Sequence, residues 1–178
     1  MSKNILVIST SPRKGGNSDC LADEFVRGAR EAGNQVEKVT LYDKTIGFCK
    51  GCLSCQNTQH CIIHDDAEVI AQKMLTADVI AFATPIYYYG MCGQMKTMLD
   101  RANSLFPSDY QFRDIYLLAA AAEDEHTVDG AVTGLQGWID CFEKARLAGT
   151  VFAGGVTSVG EIQNHPALEK AYELGKHA

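Results

Sequence analysis

The feature that most constrains this chain is the regular alternation of short β-branched runs with segments of helical periodicity. Asn4–Ser9 is a compact apolar run. Leu21, Phe25, Gly28, Ala29 and Ala32 then recur at helical spacing until Gly33 ends the helix. Gln35–Leu41 alternates as a second strand. Asp65–Thr76 reads as a helix with Ala67, Ile70, Ala71, Met74 and Leu75 on one face, and Asp65 with Glu68 three residues on is a variant capping box. Val79–Thr84 and Ile115–Ala121 are continuous apolar strands. Met95, Met98, Leu99 and Ala102 mark the helix after the first of these; Ala131, Leu135, Trp138, Ile139 and Phe142 mark the helix after the second. Thr150–Ala153 is the last strand, and Pro166 suits the first turn of a last helix. Five strands alternating with five helices imply right-handed crossovers and a parallel sheet covered on both faces, an α/β doubly wound architecture. Ligands of such sheets bind beyond the carboxyl ends of the strands, where strand order reverses. The loops after the first, third and fourth strands are therefore expected to carry the function.

A length of 178 residues gives a prior of one domain, expected to span 1–178 with a Cys-bearing loop at 42–64. Hydrophobic residues at 46% and charged residues at 21% are an ordinary globular composition. Sixteen basic residues against 22 acidic ones give a net charge of −6, which disfavours nucleic acid and anionic membrane as partners. The longest apolar run, Ile115–Ala122, is too short to span a bilayer. The N-terminal residues lack signal-peptide anatomy, so a cytoplasmic protein is expected. An odd count of seven cysteines in that compartment argues against a disulfide framework.

The loop after the first strand reads Ser9-Thr10-Ser11-Pro12-Arg13-Lys14-Gly15-Gly16-Asn17-Ser18. Hydroxyls, glycines and a helix N-terminus suit an anion, and Arg13 or Lys14 can add charge. The spacing is neither a Walker A loop nor a dinucleotide fingerprint, so a single terminal phosphate is the better match. A plain polar loop capped by Asn17 or Ser18 is the bland alternative. After the third strand, Pro85-Ile86-Tyr87-Tyr88-Tyr89-Gly90 sets three adjacent tyrosines at a strand end, suited to stacking on a planar ligand, to a subunit contact, or to both.

Together, Ser-Pro-Arg-Lys-x-x-Asn-Ser after the first strand and Pro-Ile-Tyr-x-x-Gly-x-x-x-Gly-x-x-Lys-x-x-x-Asp-Arg after the third resemble the flavodoxin-like NAD(P)H-dependent FMN reductases. The resemblance runs from residue 3 to about 103 and returns at Gly154–Gly175. It implies a five-stranded parallel sheet of order 2-1-3-4-5, noncovalent FMN, NAD(P)H as reductant, and a homodimer or homotetramer. Carried over by position, Ser9, Ser11, Pro12, Arg13, Asn17 and Ser18 would hold the FMN phosphate. Pro85, Ile86, Tyr87, Tyr88, Tyr89 and Gly90 would line its ring system. Two places depart from the family pattern. Thr10 stands where glycine is usual, and Ala119-Ala120-Ala121-Ala122-Glu123 replaces a glycine-containing flavin loop.

Cys49, Cys52, Cys55 and Cys61 read C-x2-C-x2-C-x5-C, a spacing that can wrap a cubane cluster and suits structural zinc less well. It is similar to the compact motif of the iron–sulfur flavoproteins, a branch of the same fold whose four cysteines bind a four-iron four-sulfur cluster. Relatives that look like plain FMN reductases carry the same cysteines, so a structural or redox-active role stays open beside the cluster. Lys50 could lower a neighbouring thiol pKa. Cys20, Cys92 and Cys141 fall on expected helices and read as structural. Asp65 and Asp66 read as helix caps, His60, His64 and His126 as solvated, Asp100 and Arg101 as surface or subunit ion pairs, and Trp138 as core.

The leading expectation is an FMN-dependent oxidoreductase passing electrons from NAD(P)H to a quinone, a nitro or azo compound, free flavin, a metal ion or a redox protein, with no side chain as general acid or base. The alternatives are an iron–sulfur flavoprotein electron carrier and a non-enzymatic cysteine-based redox or metal sensor.

Overall fold

The computed structural model describes residues 2–178. In chain order it contains β1 (Asn4–Ser9), α1 (Asn17–Glu31), β2 (Gln35–Thr40), a short α2 (Ser54–Thr58), α3 (Asp66–Thr76), β3 (Val79–Tyr87), β4 (Gly90–Met91), α4 (Gly93–Arg101), β5 (Asp114–Ala120), α5 (Asp129–Ile139), β6 (Arg146–Ala153) and α6 (Pro166–Lys176). The five long strands pair in parallel in the order β2-β1-β3-β5-β6, which is the expected flavodoxin-like order 2-1-3-4-5 once β4 is set aside. β4 pairs antiparallel with the end of β3. Strand order reverses between β1 and β3, so the crevice lies beyond their carboxyl ends.

The period of two explains how the sheet is covered on both faces. Ile5 and Val7 of β1, Val79 and Ala81 of β3, and Tyr116 and Leu118 of β5 pack with Phe25 of α1 and Ala171 of α6. Their neighbours Leu6, Ile8, Ile80, Phe82 and Leu117 turn the other way, toward Met74 of α3, Met98 of α4 and Leu135 of α5. The backbones of α1 and α6 approach so closely that a Cβ on Gly28 would overlap the Tyr172 carbonyl, and one on Gly175 the Phe25 carbonyl. No helix among the described residues is long and apolar enough to cross a membrane.

Some boundaries differ from the periodicity reading. β6 starts at Arg146 rather than Thr150, because its first residues are exposed or half-buried and carry no apolar run. β3 continues past Thr84 to Tyr87, where it turns back into β4. α2 is a single turn inside the cysteine loop with no buried residue, so it leaves no periodic signature. Cys92 is the N-cap of α4 and Cys141 lies just beyond α5, so neither is on a helix.

Candidate functional site

The N-terminus of α1 opens the crevice. Its cap is Gly16, and no side chain caps it, so the first-turn N–H groups that a helix leaves without intrahelical partners remain to be matched. Asn17 and Ser18 are the first helical residues instead of caps. The Ser11 hydroxyl accepts from the Arg13 N–H at 3.1 Å and donates to the Arg13 carbonyl at 3.0 Å, curling residues 11–13 into a tight turn. Gly15 takes a positive φ of 64°. A Cβ on Gly16 would sit 2.7 Å from the Ser11 hydroxyl, so glycine keeps this turn against the helix end. Ser18 Oγ is buried and makes no hydrogen bond. A buried hydroxyl without a partner is costly, and here it stands in the first turn of an uncapped helix. The phosphate end of FMN fits these groups: a dianion would accept from the first-turn N–H groups and from Ser18 together.

Not every expected contact is available. The Ser9 hydroxyl donates to Asp19 at 2.6 Å. Asn17 is tied to the segment after β6, donating to the Ser158 carbonyl at 3.0 Å and accepting from the Ile162 N–H at 3.3 Å. Pro12 and Arg13 are exposed at the rim. Asp19 was missed by sequence reasoning. Its buried carboxylate also accepts from the Gly15 N–H at 3.2 Å and pairs with Lys38 Nζ at 2.7 Å, so it braces the loop from behind. Burial pushes the Asp19 carboxyl up, but the Lys38 ammonium, the Ser9 hydroxyl and the Gly15 N–H outweigh it and hold the carboxyl below its usual range. The available signal was an acid in the first helical turn, which occurs on many solvated helices.

Across the crevice, Tyr88 and Tyr89 form the two-residue turn between β3 and β4, with φ of 49° and 62°. Tyr87, Tyr88 and Tyr89 are exposed, whereas Pro85 and Ile86 are buried beneath them. Gly90 pairs with Tyr87 across the turn. Gly130 at the start of α5 packs against the Tyr89 carbonyl with no room for a Cβ. The two sides of the crevice are tied together. Thr10 donates from both its N–H and its hydroxyl to the Ala83 carbonyl, each at 2.8 Å. Cys92 donates its N–H to the Thr84 hydroxyl at 3.1 Å and its thiol to the Thr10 carbonyl at 3.3 Å. Thr10, the departure from the family pattern, thus acts as a strut, and Cys92 is a buried packing residue. The alanine-rich segment after β5 is bonded to the chain after β6, through the Gly155 N–H to the Glu123 carbonyl and the Val156 N–H to the Ala121 carbonyl. His126 is exposed.

A second site lies on the flank. Cys49, Cys52, Cys55 and Cys61 all line one cavity of about 420 Å³, closed by Leu99 and Arg101 of α4, Phe106, Trp138 and Phe142. Cys141 lines it too. All seven cysteines are free thiols. Among the described residues no three His, Cys, Asp or Glu converge closely enough to hold a metal ion. A single zinc needs its thiolates converging at about 2.3 Å. Four cysteine thiols are the donor set that a four-iron four-sulfur cluster takes. Arg101, expected at the surface, has no exposed side-chain area. Its Nη1 donates to the Gly47 carbonyl at 2.8 Å and to Asp65 at 2.7 Å; its Nη2 donates to the Ile63 carbonyl at 2.9 Å and to Asp65 at 2.8 Å. This clasp joins the two ends of the cysteine loop. Asp65 also caps α3 through the Ala67 N–H, as the capping reading expected, whereas Asp66 is the first helical residue and accepts from the Thr45 N–H at 2.7 Å. Burial opposes the Arg101 charge, yet Asp65 and Cys61 beside the guanidinium raise its pKa above the usual arginine value. The Cys52 thiol is drawn below its ordinary value, first by the backbone and side chain of Ser54, with Lys50 the smallest contributor. His60 and His64 pair with Glu68 at 3.3 and 2.8 Å. Trp138 is half-buried, stacked on Phe112 and edge-on to Phe82, so it serves core and cavity wall at once.

Over residues 3–146 the sequence matches the family of NADPH-dependent FMN reductases. The chain belongs to that family. It is 37% identical over 101 residues to an iron-sulfur flavoprotein of Methanocaldococcus jannaschii, a match covering 57% of this chain and 52% of that protein. The chain thus spans about half the length of that relative. It is 26% identical over 164 residues to an iron-sulfur flavoprotein of Methanosarcina thermophila, covering 91% of this chain and 83% of the other. Among solved structures, an NAD(P)H:quinone oxidoreductase from Methanothermobacter marburgensis shares the fold at a TM-score of 0.74 and 16% identity, over 99% of this chain and 97% of that one.

Proposed function

We propose that this chain is an FMN-dependent oxidoreductase that takes electrons from NAD(P)H and delivers them to a small acceptor such as a quinone or an azo compound. The observation that carries this reading is the uncapped α1 N-terminus with the buried, unmatched Ser18 hydroxyl, set across the strand-order reversal from three exposed tyrosines. Bound FMN supplies the acceptance of a hydride from the nicotinamide and the onward transfer of its electrons. The protein's own part is placement. The first turn of α1 and Ser18 hold the phosphate, and Arg13 at the rim adds charge. Asp19 and Lys38 keep residues 9–15 in register. Pro85 and Ile86 floor the ring site, and Tyr87, Tyr88 and Tyr89 set its aromatic wall. No general acid or base is required for hydride transfer between the two cofactors, and the proton that a reduced quinone or azo acceptor takes up comes from solvent. Self-association into a homodimer or homotetramer and a cytoplasmic setting belong to the same proposal. The test is an ultraviolet–visible spectrum of protein purified without oxygen, followed by FMN titration and NADPH oxidation with a quinone acceptor. Flavin bands and acceptor-dependent turnover support it; no flavin affinity after FMN addition overturns it.

A second reading is favoured by the cysteine cavity: an electron carrier in which Cys49, Cys52, Cys55 and Cys61 hold a four-iron four-sulfur cluster beside FMN. The donor chemistry fits, with four thiols around one cavity and a buried guanidinium donor without a partner in its wall. Iron and acid-labile sulfide in anaerobic preparations decide between the two.

A further inference from the structure

We propose that Arg101 and Asn103 are positioning residues of the cysteine centre, presenting N–H donors to the sulfurs of Cys61 and Cys55 and raising the reduction potential of the cluster bound there. The inference rests on the cluster reading above. Arg101 is buried and makes four hydrogen bonds through Nη1 and Nη2, yet its Nε is left without a partner. Buried donors are nearly always matched, so an unmatched one in a cavity wall marks the place of a missing acceptor. That wall also carries the four thiols, Cys61 among them. Asn103, in the 3-10 turn Ala102–Leu105 that follows α4, already donates its Nδ2 to Cys55 Sγ at 3.3 Å. One short stretch of backbone therefore brings two donors to the half-buried sulfurs, while Cys49 and Cys52 lie exposed.

The consequence follows from charge. Reduction adds one electron to the cluster, and the added negative charge spreads onto its thiolates. Donors to those sulfurs and a fixed positive charge beside them favour the reduced form, which raises the potential. A side chain that only props the loop would leave the potential where it is.

The test uses the full chain, reconstituted without oxygen with ferrous iron and sulfide, as wild type, Asn103→Leu and Arg101→Lys. Iron and sulfide are assayed, and the midpoint potential is read by electron paramagnetic resonance during a dithionite titration with mediators. The expected result is a cluster in wild type and in Asn103→Leu, with the variant's midpoint moved to more negative potential. Arg101→Lys keeps the charge but loses the forked donor set and moves the same way. If Arg101→Lys fails to fold, because it also breaks the loop clasp, Asn103→Leu decides alone. A full cluster in Asn103→Leu at an unchanged potential overturns the inference and leaves the cluster reading standing. Wild-type protein that takes up neither iron nor sulfide overturns both.

Discussion

Ser18 and Asp19 are adjacent in the chain and make opposite predictions. Ser18 Oγ is buried without a hydrogen bond, so Ser18→Ala should leave the cofactor-free protein as stable as wild type or slightly more so, since a costly unmatched hydroxyl is removed. The same change should weaken FMN about tenfold, or ~1.4 kcal/mol, because it deletes a donor to the phosphate. Thermal unfolding and flavin fluorescence titration read the two effects separately. Asp19 instead has partners in Ser9, Gly15 and Lys38. Asp19→Asn should cost about 2 kcal/mol at neutral pH by breaking a charge-assisted network. Because the folded-state pKa of Asp19 is depressed, its contribution is full above the ordinary aspartate range and fades as pH falls below about 4. Unfolding of wild type and Asp19→Asn should therefore differ at pH 7 and converge as pH falls through the depressed folded-state pKa of Asp19. The two loops were readable as the segments beyond the carboxyl ends of β1 and β3 because their residue types and spacing are the signal. Asp19 and Arg101 were not, because their roles depend on partners such as Lys38 and Asp65 that only the fold brings near.

At the scale of elements, the β3–β4 turn is the clearest conflict between local preference and place. A two-residue hairpin turn with both φ positive favours Asn-Gly, and this chain spends Tyr88 and Tyr89 there. Tyrosine in the left-handed region is strained, and such strain gathers at ligand clamps. Replacing the pair by Tyr88→Asn and Tyr89→Gly should stabilise the hairpin by about 1 kcal/mol while lowering FMN affinity by about tenfold through loss of the aromatic wall. A variant with both a higher melting temperature and unchanged FMN affinity would show that the rings do not serve the flavin. The same conflict explains why periodicity found β3 but not the turn: nothing in Tyr-Tyr announces a hairpin. The buried strands were legible because their apolar runs are continuous. The start of β6 was not, since Arg146 to Gly149 are exposed or half-buried on the outermost strand of the sheet.

For the whole molecule, alternation alone implies a parallel sheet covered on both faces, but not which strands are neighbours. Strand order entered through the two loop motifs and their resemblance, and that order creates the crevice between β1 and β3. The crevice is then cross-braced by contacts far apart in sequence, with Thr10 tied to Cys92 and Asn17 to Ser158 and Ile162. A cofactor held there should stabilise the fold as a unit. At a hundredfold excess over its Kd, a ligand of the folded state adds about 2.7 kcal/mol. For a chain of this size that is a rise in melting temperature of roughly 5–10 °C. Riboflavin offers the same rings without the phosphate, so it should raise the melting temperature much less at equal concentration, and Ser18→Ala should narrow the gap between the two flavins. Scanning wild type and variant with each flavin measures the phosphate contribution directly. Equal shifts from FMN and riboflavin in wild type would mean that the α1 N-terminus does not hold the phosphate, and the uncapped helix and the unmatched Ser18 hydroxyl would then need another ligand.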